Sequence, residues 1–234
     1  MNLINLGAIF GGNDLVLPSY FAFLFTIFCV VGITNAFNWI DGIDGFFSFQ
    51  VLLALVGLII IGRGGFNLAH LSLLAALLPY SIMNLGLLGK KFKVFIGDHG
   101  AMMIGFFLAC SFIFLTQDPL NIYEQTVRPV EALWCVGLVL LNALRVIWKR
   151  FIKKLSIFSS DREHIHHYFL DQGFSNHQTL LIVCFISFSI SAFGFLLFFL
   201  NTPEWLSLLI FISILIIWSW IGKFLNQKTK TQES

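Results

Sequence analysis

Seven long apolar runs dictate what this chain can become. They lie approximately at Leu17–Phe37, Phe46–Ile61, Leu68–Leu88, Met102–Leu115, Leu133–Trp148, Leu180–Leu200 and Leu206–Ile221. A helix of about 20 apolar residues matches the hydrocarbon thickness of a bilayer. The runs are continuous and do not alternate with polar residues, so they predict helices and not the strands of a barrel. Composition agrees: 58% of the residues are hydrophobic and 11% are charged, where a soluble domain carries about 25% charge. The expectation is an all-α, polytopic membrane protein with about seven transmembrane helices. It forms one integral-membrane domain over residues 1–234, with 222–234 as a cytoplasmic tail.

Basic residues set the orientation. If the seven spans alternate, one side receives the loops at 38–45, 89–101 and 149–179 and the tail. That side holds Lys90, Lys91, Lys93, Lys149, Arg150, Lys153, Lys154, Arg162, Lys223, Lys228 and Lys230; the other holds only Arg63 and Arg128. Arg145, near the end of the fifth run, can snorkel to the basic side. This bias makes the first side cytoplasmic. It puts the C-terminus inside and the N-terminus outside. The first 16 residues carry no Lys or Arg, so they do not read as a secretory signal. An outside start without a leader leads us to expect that the natural polypeptide begins earlier. Cys29, Cys110, Cys135 and Cys184 all lie inside apolar runs without a C-x-x-C spacing, and read as small hydrophobes.

Three polar clusters fall on the basic side: Asn35 to Gly45, Lys90 to Gly100, and Ser160 to His167. Carboxylates near hydrocarbon are costly, about 2.5 to 3.5 kcal/mol for Asp at a helix centre on insertion scales. Asp41 and Asp44, three residues apart among Asn and Gly, are therefore poor candidates for packing alone. Together the clusters offer carboxylates, amides, ammonium groups and imidazoles. That inventory suits a phosphorylated substrate with a divalent cation, because Mg²⁺ is usually held by one or two carboxylates plus substrate phosphates. Asp98, between Gly97 and His99, is the candidate ligand, with Asn38 adding an amide oxygen. Phosphoryl transfer asks mainly for such positioning and charge stabilisation.

Each cluster also has a plainer reading. Asp41 and Asp44 can cap helices beside Gly42 and Gly45. Lys90, Lys91 and Lys93 can be a topology signal in contact with lipid headgroups. His164, His166 and His167 can be a solvated loop; their spacing lacks the partners of a specific zinc site. Asp161 can be an N-cap, Asn142 interhelical glue, and His70 and His177 structural.

The clusters taken in order resemble a family. Asn35-Ala36-Phe37-Asn38 through Asp41-Gly42-Ile43-Asp44-Gly45, then Phe95-Ile96-Gly97-Asp98, then His164-Ile165-His166-His167 look like the polyprenyl-phosphate N-acetylhexosamine-1-phosphate transferases, which include MraY. The His-Ile-His-His form, preceded by Phe158-Ser159-Ser160-Asp161-Arg162, is most similar to the bacterial WecA branch. The resemblance covers nearly the whole chain. It implies transfer of N-acetylglucosamine 1-phosphate from UDP-N-acetylglucosamine to undecaprenyl phosphate in the bacterial inner membrane, with release of UMP and with Mg²⁺ or Mn²⁺. The product would start enterobacterial common antigen and O-antigen chains. By motif position, Asp41, Asp44 and Asp98 resemble catalytic residues. Asp98 and Asn38 resemble metal contacts. Asn35, Asn38, Arg162, His164, His166 and His167 resemble substrate contacts. The partners implied are the nucleotide sugar, the lipid and the bilayer; nucleic acid is not among them, and an oligomer is compatible with the pattern.

The chain departs from the family pattern in three places. It has no adjacent Asp-Asp pair, which the family carries on a loop well before the position of Asn35, and the resemblance leads us to expect about three or four family spans that the sequence from Met1 does not include. Gly97-Asp98-His99-Gly100-Ala101 replaces the usual Gly-Asp-Ala-Gly-Ser, putting a bulkier side chain at 99 and removing a hydroxyl at 101. Asn142 stands where the WecA branch usually has Asp. These departures define the alternative expectation, an inactive or partner-dependent remnant of such an enzyme. A transporter or channel is the less favoured third reading, because the charges cluster in one-sided loops and not near the midplane.

Overall fold

Inside a bilayer no water is available to satisfy backbone N–H and C=O groups, so each apolar run must close its hydrogen bonds internally. The computed structural model, which describes residues 2–40, 42–62, 68–117, 127–152, 154 and 169–232, with 221–232 as backbone alone, shows how. The helices are α1 (Ser19–Trp39), α2 (Phe46–Ile61), α3 (Leu68–Asn84), α4 (Gly97–Gln117), α5 (Pro129–Cys135), α6 (Gly137–Ile152), α7 (Asn176–Phe199) and α8 (Glu204–Gln232), with a single 3₁₀ turn at Lys90–Phe92. Among the described residues the one β pairing is an isolated antiparallel bridge between Asn5 and Val16.

Helices α1, α4 and α7 are long and apolar enough to cross a membrane, and the bent α5–α6 pair would add a fourth. Helices α2, α3 and the Glu204–Trp220 part of α8 are shorter apolar helices. The protein is a multi-pass membrane protein. Many large apolar side chains face outward, among them Phe21, Phe28, Phe185 and Trp220, as lipid contact requires.

The fifth apolar run differs from the expectation of one continuous segment from Leu133 to Trp148. It breaks at Val136, and its two halves meet at 89°. The break is held on both sides. Trp134 is buried, donates from Nε1 to Ser207 Oγ at 2.9 Å, and meets Phe193 and Phe211 edge-on. The Ser191 hydroxyl donates to the Trp134 carbonyl at 3.0 Å, which satisfies a backbone group at the interruption. Helix α8 extends past the seventh apolar run as far as Gln232.

Without a hydrophobic drive between helices, membrane bundles associate where small residues let backbones come close. Gly105 of α4 is such a point. A Cβ there would sit 3.0 Å from Phe37 Cβ and 3.1 Å from Thr34 Cα of α1. Gly194 of α7 lies directly against Trp134 in the same way. The core between the helices includes Phe37, Phe46, Phe47, Leu55, Leu108 and Leu138, all but inaccessible to solvent.

Residues 2–17, which the apolar pattern left unassigned, fold back over the start of α1 and the end of α4. Leu3 N donates to Thr26 Oγ1 at 2.7 Å. Gln117 closes the other side, accepting from Ile4 and Asn5 N–H and donating to the Asn5 carbonyl. This fixes the direction of the pair: α1 and α4 run antiparallel, so the end of α1 meets the beginning of α4.

Candidate active site

The antiparallel α1–α4 contact decides where the candidate residues lie. From Gly105, packed against Thr34 and Phe37, Asp98 is seven positions back along α4, roughly 10 Å at 1.5 Å per residue. A similar distance forward along α1 passes Asn38 and reaches the turn before α2. Asn38, Asp44 and Asp98 therefore gather at one end of the bundle.

The turn itself has a sequence cause. Helix α1 stops at Trp39, and Gly42 and Gly45 follow. Gly45 adopts φ +83° as the N-cap of α2, a left-handed conformation that side chains disfavour. A Cβ at Gly45 would also lie 2.5 Å from a Leu85 methyl. This turn presents Asp44 to the loop between α3 and α4, where Lys93 Nζ donates to its carboxylate. The two side chains are about one-third exposed, 33% and 30%, and Lys93 also lies over the Phe95 ring at 5.3 Å. An ion pair so exposed contributes about 0–1 kcal/mol to stability. Its importance is geometric: it keeps one carboxylate and one ammonium group together at the mouth of the site.

Asp98 stands exposed in the first turn of α4, where the helix dipole favours a negative charge, and makes no ion pair among the described residues. Asn38 has a buried Oδ1 that accepts no hydrogen bond among the described residues. An uncommitted carboxylate and an orphaned amide oxygen at one end of the bundle are oxygen donors of the kind a hard divalent cation takes, so the residues present fit such an ion. Among the described residues no group of three or more His, Cys, Asp or Glu side chains forms a metal cage by itself. Asn35 turns back on its own helix, donating from Nδ2 to the Val31 carbonyl at 2.8 Å. Asp41, Arg162, His164, His166 and His167 lie outside the described residues.

Two nearby residues were not singled out as site candidates from the sequence. Arg150 of α6 is buried, with its guanidinium 5.7 Å from the Trp39 ring centre, beside Asn38 in sequence. Asn84, the last residue of α3, is 2% exposed. It accepts from Gly45 N–H at 2.6 Å and donates to the Val94 carbonyl at 2.9 Å. An Asn at the end of an apolar run looks like an ordinary helix end, so no local pattern marked it. The departures at 99 and 101 also separate here: His99 is exposed, whereas Ala101 is fully buried. Asn142 is buried in α6. His70 is buried too, its Nε2 3.1 Å from Ser111 Oγ and its ring against Phe107. An apolar cavity of about 300 Å³ opens at the other end of α1 and α4, between Phe25, Cys29, Phe112 and Ile113, and contains none of the candidate residues.

Residues 1–116, which carry the first two clusters, match glycosyl transferase family 4. The chain belongs to this family. It is 36% identical over 215 residues to the undecaprenyl-phosphate alpha-N-acetylglucosaminyl 1-phosphate transferase of Escherichia coli strain K12, an alignment covering 90% of this chain and 57% of that protein. The transferase of the same name from Escherichia coli O157:H7 is 34% identical over 226 residues, 94% of this chain and 60% of the relative. The one from Yersinia pestis is 32% identical over 228 residues, with the same shares. The chain thus spans about 60% of the length of the curated relatives it matches. The two Escherichia coli alignments cover 90% and 94% of the chain, more than the residues matched by the family.

Proposed function

We propose that this family 4 protein transfers N-acetylglucosamine 1-phosphate from UDP-N-acetylglucosamine to undecaprenyl phosphate and releases UMP. The reaction would start lipid-linked O-antigen or enterobacterial common antigen synthesis at the cytoplasmic face of the bacterial inner membrane. The reading is carried by the placement of Asn38, the Asp44–Lys93 pair and Asp98 at the same end of the bundle, argued from the α1–α4 packing, in a chain similar to transferases of that name.

In the proposed reaction an oxygen of the lipid phosphate forms a bond to the sugar-linked phosphorus of the donor. The bond from that phosphorus to the bridging oxygen breaks, and UMP leaves with the electron pair. Three phosphoryl groups must come together, so charge is the main obstacle and positioned countercharge the main remedy. Lys93 stands beside Asp44 as a cation that can turn toward phosphate. Asp98 and Asn38 would hold Mg²⁺ or Mn²⁺, which when bound neutralises phosphate charge. The Asp44 turn, with its glycines, allows the backbone to approach a nucleotide closely. Asp41, Arg162, His164, His166 and His167 complete the expected donor set by motif position. A site at the membrane edge suits an acceptor whose phosphate lies at the headgroup level while its tail stays in hydrocarbon.

Membranes containing the protein, supplied with labelled UDP-N-acetylglucosamine, undecaprenyl phosphate and Mg²⁺, test the proposal. UMP and a labelled lipid formed together support it.

A further inference from the structure

We propose that Asn84 is a positioning residue that holds the nucleotide-side turn and the Asp98 segment in register; this rests on the transferase reading above. Asn84 is buried and both ends of its amide are engaged by backbone. Oδ1 accepts from Gly45 N–H at 2.6 Å and Nδ2 donates to the Val94 carbonyl at 2.9 Å. Gly45 follows Asp44, and Val94 follows Lys93. One side chain therefore bridges the backbones immediately next to both members of the exposed ion pair.

The chemistry requires this residue type. The bridge needs an acceptor at one end and a donor at the other, on a side chain as short as Asn. Asp supplies two acceptors and would face the Val94 carbonyl with negative charge; Ala supplies neither. The ion pair alone cannot hold the register, because a pair one-third exposed is weak. Asn84 itself is buried, its bond to Gly45 fully and its bond to Val94 partly, and removing a buried partner leaves the other group unsatisfied. Because both ends of the amide face protein, Asn84 acts through the two loops and not on the substrate. The Gly45 bond also fixes the left-handed N-cap of α2, and the Val94 bond fixes the strand of chain that leads through Gly97, at φ +66°, into Asp98.

Two readouts on Asn84→Ala and Asn84→Asp test this. In the first, hydrogen–deuterium exchange of the membrane-embedded protein is followed peptide by peptide. Asn84→Ala is expected to speed exchange in residues 42–46 and 93–98 and leave α7 unchanged. Asn84→Asp, which keeps the acceptor for Gly45, is expected to loosen 93–98 more than 42–46. In the second, steady-state UMP release is measured. Asn84→Ala is expected to raise the KM for UDP-N-acetylglucosamine by roughly tenfold, through lost preorganisation of the turn that binds it, with the KM for undecaprenyl phosphate within about twofold. Exchange that rises evenly over every helix would make Asn84 a general stability residue and overturn the proposal. So would unchanged exchange in both segments, or equal changes in the two KM values. If the unaltered protein releases no UMP, the transferase reading fails separately, and the exchange pattern alone decides whether Asn84 couples the two loops.

Discussion

Lys93 reaches back across 49 positions of chain to donate to the Asp44 carboxylate. Neither residue lies in a helix. The contact joins the turn between α1 and α2 to the loop between α3 and α4, and places a partly exposed cation where a phosphorylated ligand would compete for it. Substituting Lys93 by Met should change the thermal midpoint little, since the pair is worth about 0–1 kcal/mol. Activity should fall by roughly tenfold through a higher KM for the nucleotide sugar, about 1.4 kcal/mol of lost binding. Thermal unfolding and UMP release, measured on the same preparation, separate the two effects.

Asp98 is exposed at the beginning of α4 and unpaired among the described residues. Asp98→Asn keeps the shape and removes the charge. We expect UMP release to fall by on the order of 100-fold or more, as when a principal electrostatic contributor is lost, with the helix content unchanged by circular dichroism. Chelation by EDTA should abolish release in the unaltered protein, and excess Mg²⁺ or Mn²⁺ should restore it. Restoration of the variant to full rate by added metal would count against Asp98 as a ligand.

Gly105 sets the spacing between α1 and α4, and so the height of Asn38 relative to Asp98. A larger residue there must push against Thr34 and Phe37. Gly105→Leu should destabilise by about 1–3 kcal/mol through overpacking and lower activity beyond the loss of folded protein, because the two ends of the site separate. Gly105→Ala should do both to a smaller degree. A Leu variant of normal stability and normal rate would show that the helices are not in close contact.

The bend at Val136 should respond differently. Ser191→Ala removes the hydroxyl that donates to the Trp134 carbonyl. Hydrogen bonds within membrane proteins average about 0.6 kcal/mol, with a maximum of about 1.7. We expect a stability loss in that range and unchanged KM values for both substrates, since Trp134 and Ser191 lie away from the candidate residues.

Continuity of the apolar runs made the helices legible. The Phe46 to Ile61 run became α2 with the same ends, and the run from Leu68 became α3, with Pro79 inside it. The bend within the fifth run was not legible. Val136 and Gly137 are unremarkable in an apolar sequence, and the bend depends on side chains that come from α7 and α8, Ser191 and Ser207. The fold of residues 2–17 was also hidden, because Gln117, which clamps it, is more than a hundred positions away. At the site, Asp44 and Asp98 stood out because carboxylates are rare in such a chain. Lys93 reads in the sequence as a topology signal, because charge counting cannot show a partner. Asn84 escaped because its two bonds run to backbone, which leaves no trace in residue types.

The most direct test of the central claim is UMP release from UDP-N-acetylglucosamine by membranes containing this protein, with and without undecaprenyl phosphate and with and without Mg²⁺. The account predicts release only when lipid and metal are both present, and its loss in Asp98→Asn. Release that ignores the lipid, or no release where a relative of the same family is active in parallel, would contradict it.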